Sequence, residues 1–200
     1  MRVLGVTGGT GTGKSTVCKI LEEQGGVIID ADKIASSQQR KGCNAFNEIV
    51  AYFGEEILLP DGELNRTLLA GIVFSDNEKL RVLNSIVHKY VSLEMKERVA
   101  KAAEQGAKFA VLDVPIPIED GFFDTADCVW AVVANDDLRT ERVMARSGIS
   151  EREAQLRIAS QMTNREYSEI ADVTIDNEGD FESLKKLVLY ELERFLNYFV

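Results

Sequence analysis

Apolar residues follow two rhythms along this chain. Short runs dominated by apolar side chains stand at Val3-Leu4-Gly5-Val6, Val27-Ile28-Ile29, Phe109-Ala110-Val111-Leu112, residues 128–134 and Val173-Thr174-Ile175. They lack the sustained polar alternation of a half-exposed strand, and so predict strands covered on both faces, as in a parallel sheet. Between them, apolar positions recur at helical spacing. Val17, Cys18, Ile20 and Leu21 predict a helix over 15–24 lying against the sheet and ended by Gly25-Gly26. Leu80, Leu83, Val87, Val91, Met95 and Val99 predict one long amphipathic helix, and residues 181–198 a helix rich in leucine on one side. Strands alternating with helices argue for a three-layer αβα arrangement around a parallel sheet.

One stretch departs from that alternation. Residues 33–105 read as mostly helical, broken at Lys41-Gly42, Phe53-Gly54 and Pro60-Asp61-Gly62. A helical excursion of that length inside an αβα fold suggests a substrate-covering region, placed at about 36–105. Segments 138–146, 151–161 and 164–170 are helical or lid candidates, with the lid at about 139–170. Pro115, Pro117 and Gly121 predict an irregular loop over the sheet edge, where binding residues such as Pro115 can be held. No repeat or linker divides the chain, so residues 1–200 are expected to form a single domain.

The first strand runs into Gly8-Gly9-Thr10-Gly11-Thr12-Gly13-Lys14-Ser15, which fits the phosphate-binding P-loop, with Thr16 following. The glycines let backbone N–H groups turn toward the β-phosphate, Lys14 reaches the β- and γ-phosphates, and the Ser15 hydroxyl is placed to ligate Mg²⁺. A plain Gly-rich turn does not account for lysine and serine at those places. The motif leaves kinase, GTPase, mechanical ATPase and switch open, although no Asn-Lys-x-Asp run for guanine is present.

Several residues are candidates for the remaining chemistry. Asp32, just after the second strand, can accept a proton from an acceptor hydroxyl, with Asp30 as the lesser alternative and helix capping as the structural role for both. Asp113, ending the third strand, is read equally as a direct or water-mediated Mg²⁺ group and as a turn cap or arginine partner. Arg142 and Arg146 share a helix face and offer phosphate contacts from a lid whose boundary is Ser147-Gly148, or else they pair with surface carboxylates. Arg66 and Arg157 are possible substrate and lid contacts. His88 is read equally as an acceptor contact and as an isolated histidine of the Val87 and Val91 helical pattern with no partner for chemistry, and Trp130 and Phe109 as core.

Composition narrows the partners. With 45% apolar and 28% charged residues and a net charge of -10, the chain is that of a globular protein that disfavours broad nucleic-acid or anionic-membrane binding. No apolar run approaches a membrane span and no signal-peptide pattern is present, so a cytoplasmic location is expected. Cys18, Cys43 and Cys128 are scattered and read as reduced structural cysteines, and one histidine rules out a histidine metal cage.

The ordered motifs resemble the dephospho-CoA kinase family over nearly the whole chain. They comprise the P-loop run, Val27-Ile28-Ile29-Asp30-Ala31-Asp32, Asp61-Gly62-Glu63-Leu64-Asn65-Arg66, Leu112-Asp113-Val114-Pro115, Arg142-Val143-Met144-Ala145-Arg146-Ser147-Gly148, Arg157-Ile158-Ala159-Ser160-Gln161 and Ala171-Asp172-Val173-Thr174-Ile175-Asp176-Asn177-Glu178-Gly179. The resemblance implies a P-loop nucleoside-kinase-like fold and ATP-dependent phosphorylation of the ribose 3′-hydroxyl of dephospho-CoA. It also implies Asp32 at that hydroxyl, Arg142 and Arg146 on the lid or phosphate side, Arg66 and His88 on the acceptor side, and Asn177 with Gly179 near the adenine. The sequence departs from the family pattern at His88-Lys89, at Pro115-Ile116-Pro117-Ile118-Glu119, and at Arg139, where glutamine is frequent.

Overall fold

The computed structural model describes residues 1–117 and 119–198; Ile118 of the departing proline-rich run lies outside them. Strands β1 (Arg2–Thr7), β2 (Gly26–Asp30), β3 (Phe109–Asp113), β4 (Cys128–Val133) and β5 (Val173–Asp176) make one sheet in the order β2-β3-β1-β4-β5. The apolar runs therefore become strands, as expected. Parallel pairing puts Val3 opposite Ala110 of β3 and Leu4 opposite Cys128 of β4, which makes β1 central. The helices are α1 (Lys14–Glu23), α2 (Ala31–Gln38), α3 (Asn44–Phe53), α4 (Arg66–Phe74), α5 (Asn77–Glu104), α6 (Asp136–Ser147), α7 (Glu151–Ala159), α8 (Asn164–Glu169) and α9 (Phe181–Tyr198).

Strand β4 shows why the sheet needs two helical layers. Cys128, Trp130 and Val132 pack with Val17, Ile20 and Leu21 of α1 and Leu184, Val188 and Leu192 of α9, whereas Ala131 and Val133 pack with Tyr167 of α8. Both faces are apolar, so both must be covered. The result is the three-layer αβα fold expected from the sequence. Cys18, Cys43 and Cys128 form no disulfide among the described residues, and burial beside Asp172 pushes the Cys128 thiol up to about 12.

Two carboxylates finish the amino edge of the sheet. Val3 N–H donates to Asp127 Oδ2 and Val129 N–H to Asp172 Oδ2, each at 2.7 Å, continuing the ladder where the strands begin. The carboxyl edge is left to the loops that follow β1, β3, β4 and β5, the edge at which open α/β sheets bind ligands.

The chain divides into two compact units, Met1–Ile29 with Arg98–Val200, and Asp30–Glu97, so that the boundary passes through α5. The second unit has its own core, in which Phe46, Ile49 and Phe53 of α3 pack with Leu69 and Val73 of α4 and Ile86 of α5. Its helices are started locally. Asp30 accepts from Lys33 N–H at 2.9 Å to cap α2, and Asn65 accepts from Leu68 N–H at 3.0 Å to cap α4.

Candidate active site

The phosphate loop spans the turn between β1 and α1. Gly13 caps α1 with φ 91°, a left-handed conformation, and offers no side-chain acceptor to the helix start. The first N–H groups of a helix have no intrahelical acceptor. Here, among the described residues, no hydrogen bond occupies the backbone N–H of Gly11, Gly13, Lys14 or Ser15. Those donors, with the helix dipole behind them, form the chemistry of a phosphate site. The loop is braced from within by Thr12, fully buried, whose hydroxyl donates to Gly9 O at 2.8 Å.

Most of the remaining bracing comes from residues far away in sequence. Asn177, after β5, donates from Nδ2 to Thr12 O at 2.8 Å. Arg142 Nη1 donates to Gly11 O at 3.3 Å and its Nη2 to Asn177 O at 3.1 Å, while Arg146 Nη2 donates to Thr10 Oγ1 at 3.0 Å. Arg142 and Arg146 of α6 therefore face the loop, and among the described residues neither of these two has a carboxylate partner. Gly148, with φ 64°, ends α6 by donating to Met144 O at 2.9 Å.

Lys14 and Asp113 are brought together. Their half-buried side chains form an ion pair, so the carboxylate ending β3 faces the lysine that begins α1. Asp113 takes a lysine partner, where an arginine or a turn was the structural alternative. Pro115, two residues on, accepts from the buried Tyr167 hydroxyl through its carbonyl at 3.0 Å, and burial raises the Tyr167 phenol above its ordinary value. Ser15 is exposed on the first turn of α1, Thr16 N–H donates to Gly13 O at 2.9 Å, and Gly179 is exposed ahead of α9.

The other predicted residues belong to the second unit. Asp32 is exposed in the first turn of α2, directly after the Asp30 cap, so it stands on a helix and not on an open loop. Arg66 is exposed at the start of α4. His88 lies on an exposed position of α5, with its imidazole held below its ordinary value by partial desolvation.

Arg139 and Gln161, which hold the loop directly, and Asn164, which supports Arg139, carry no loop-bracing role in the sequence reading. Arg139 is 1% exposed and donates from Nε to Thr10 O at 3.0 Å; Gln161 Oε1 accepts from Thr10 N–H at 2.7 Å; Asn164 joins Arg139 Nη1 at 3.4 Å and donates to Ala134 O at 2.6 Å. Arg139 precedes Arg142 by one helical turn, a spacing that puts them on one face and was the available signal.

A phosphate loop between the central strand and its following helix, in a covered parallel sheet with arginines converging from one helix, defines a nucleotide-binding protein of the P-loop kinase class. Residues 2–183 match the family model described as CoaE: Dephospho-CoA kinase. The chain belongs to the dephospho-CoA kinase family. A dephospho-CoA kinase of Carboxydothermus hydrogenoformans is 40% identical over 192 residues, covering 96% of this chain and 93% of that protein. A solved Thermus thermophilus structure is 32% identical with a TM-score of 0.79, covering 96% of this chain and 97% of that one. Dephospho-CoA kinase from Campylobacter jejuni shares the fold at 24% identity, with a TM-score of 0.70 over 97% of each chain.

Proposed function

We propose that this chain transfers the γ-phosphoryl group of ATP to the ribose 3′-hydroxyl of dephospho-CoA, giving coenzyme A and ADP. The supporting observation is that the family match runs through a phosphate loop whose lysine, free N–H groups and converging arginines are all present. In the transfer, the 3′-oxygen bonds to the γ-phosphorus, the bond from that phosphorus to the β–γ bridging oxygen breaks, and the hydroxyl proton passes to Asp32. Lys14 leaves Asp113 for the β- and γ-phosphate oxygens, where its charge offsets the charge of the transferring group. Arg142 and Arg146 add cations from α6, the protein's answer to its net charge of -10.

The donor set also fits Mg²⁺. Ser15 and Asp113 offer the hard oxygen ligands that this ion prefers, and no cluster of three or more His, Cys, Asp or Glu side chains suited to a metal exists among the described residues. Nucleotide oxygens and water would therefore complete the shell. Bound there, the ion would neutralise phosphate charge and orient the triphosphate.

In this reading residues at about 36–105, Arg66 and His88 among them, take the acceptor together with Pro115. The segment at about 139–170 acts as a lid, and Asn177 with Gly179 lies toward the adenine. Dissolved substrates and the acidic chain fit a cytoplasmic enzyme without nucleic-acid or membrane partners; no helix among the described residues is long and apolar enough to cross a membrane. Product-resolved kinetics test the assignment. Phosphorylation of dephospho-CoA must dominate over that of nucleoside monophosphates and must stop on verified removal of divalent ions. Arg142→Ala and Arg146→Ala are expected to lower transfer and shift turnover toward ATP hydrolysis. Unchanged transfer and partitioning in both and in the double variant would remove them from the lid.

A further inference from the structure

Arg139 is the largest buried charged side chain of the molecule, and it is spent on the back of the phosphate loop. Its guanidinium has five N–H donors. Nε donates to Thr10 O at 3.0 Å; Nη1 donates to Asp136 Oδ1 at 2.9 Å and to Asn164 Oδ1 at 3.4 Å; Nη2 is buried with no hydrogen-bond partner among the described residues. That idle donor is aimed at the loop. A Cβ built on Gly9 would lie 2.5 Å from Nη2 and 3.2 Å from Gln161 Oε1, so this close approach is open only because residue 9 is glycine.

The environment does not explain the charge as a stabilising ion pair. Asp136, the carboxylate partner, has a side chain 72% exposed, against 1% for Arg139. A buried cation paired with a solvated anion and keeping an unused N–H costs desolvation energy that the pair only partly returns. The remaining neighbours have one common target. Arg139 holds the carbonyl of Thr10, Gln161 holds its N–H, and Arg146 holds its side chain. Thr10 is thereby fixed at every polar atom by groups from α6 and from the turn after α7.

We propose that Arg139 is a positioning residue for the nucleotide: its guanidinium locks the Thr10 peptide and sets a unit of positive charge under Gly9, so that the phosphate loop is shaped and electropositive before a polyphosphate arrives. The inference rests on the phosphotransferase reading only for the identity of the nucleotide. It needs neither a particular acceptor nor a metal ligand. Preorganisation of this kind acts on nucleotide affinity and on transition-state alignment, leaving acceptor affinity alone.

Three substitutions separate charge, hydrogen bond and bulk. R139Q keeps an amide able to donate to Thr10 but removes the charge, R139K keeps the charge without the planar fork, and R139M keeps only the apolar stem. Calorimetric binding of ATP and of ADP without acceptor is the primary measurement. Steady-state constants for both substrates and a melting curve accompany it. R139M is expected to weaken ATP binding by about tenfold or more, the factor associated with roughly 1.4 kcal/mol, and to lower kcat, with KM for the acceptor unchanged. R139Q and R139K should each recover part of the loss. A role confined to stability predicts lower melting temperatures with wild-type nucleotide affinity. That result in any variant series that folds, or an equal rise in both KM values, overturns the proposal. Should R139M fail to fold, R139Q and R139K decide the matter by the same readings. Failure of wild-type protein to phosphorylate dephospho-CoA while still binding ATP would overturn the proposed function and leave this inference standing.

Discussion

The phosphate loop and the helical unit Asp30–Glu97 are ordered by opposite means. In the helical unit, helix starts are fixed by residues three positions away, as in Asp30 to Lys33 and Asn65 to Leu68. The loop, by contrast, is held by side chains 129 to 165 residues distant: Arg139 on Thr10, Arg142 on Gly11, Arg146 and Gln161 on Thr10, Asn177 on Thr12. A local cap stabilises one helix whatever surrounds it, whereas a loop with little internal hydrogen bonding takes its shape from the scaffold. The shape of the loop thus depends on the complete fold more than the helix starts of the other unit do.

The largest effect is expected at the loop itself. Lys14→Ala should lower phosphoryl transfer on the order of a hundred- to a thousandfold through lost charge at the phosphates, with circular dichroism unchanged. Near-normal turnover by the folded variant would take Lys14 out of the mechanism. Next comes Asp32→Asn in the helical unit. Single-turnover transfer to dephospho-CoA should fall by roughly a hundredfold or more, the usual scale of general-base loss, while ATP binding persists. Wild-type transfer at saturation would leave Asp32 with no essential role.

A matched pair of glycines sharpens the contrast. Gly13 and Gly42 have φ 91° and 87°, so alanine at either place meets the same left-handed backbone cost, roughly 1–2 kcal/mol. Around Gly42 the space for a Cβ is open, whereas at Gly13 the new Cβ overlaps the Asn177 amide. Urea denaturation should show Gly13→Ala as the more destabilising, with weakened ATP binding in addition. Equal losses and intact binding would mean that the loop tolerates displacement of Asn177.

The smallest change should come from local caps. Asn65→Ala should cost about 1 kcal/mol, typical of an N-cap, without altering nucleotide affinity. Capping boxes at Ser150 with Glu153 and at Thr163 with Glu166 hold both carboxyls below their ordinary values through the bonds that they accept. Carboxyls lowered by folding stabilise above their unfolded pKa, and that contribution is lost as pH falls through the folded value. Unfolding midpoints followed below the ordinary carboxylate range should therefore decline, and the declines should be smaller in Glu153→Gln and Glu166→Gln.

The sequence by itself determined the class of fold and the location of the loop. Apolar runs with no sustained alternation can be buried only by layers on both sides, and glycines followed by lysine and serine leave few readings. It also marked Asp30 as a possible helix cap, since that chemistry operates over three residues. Tertiary structure alone decided what shapes the loop. In the sequence Arg139 marks only a departure from the family pattern, Gln161 a motif position and Asn164 the start of a helical or lid-candidate segment. The pairing of Arg139 and Gln161 with Thr10, and that of Asp113 with Lys14, exists only after β1, β3 and β4 lie side by side. Periodicity reports which face of an element is buried, but the partner of a buried polar group depends on how distant strands register, and no local pattern encodes that distance.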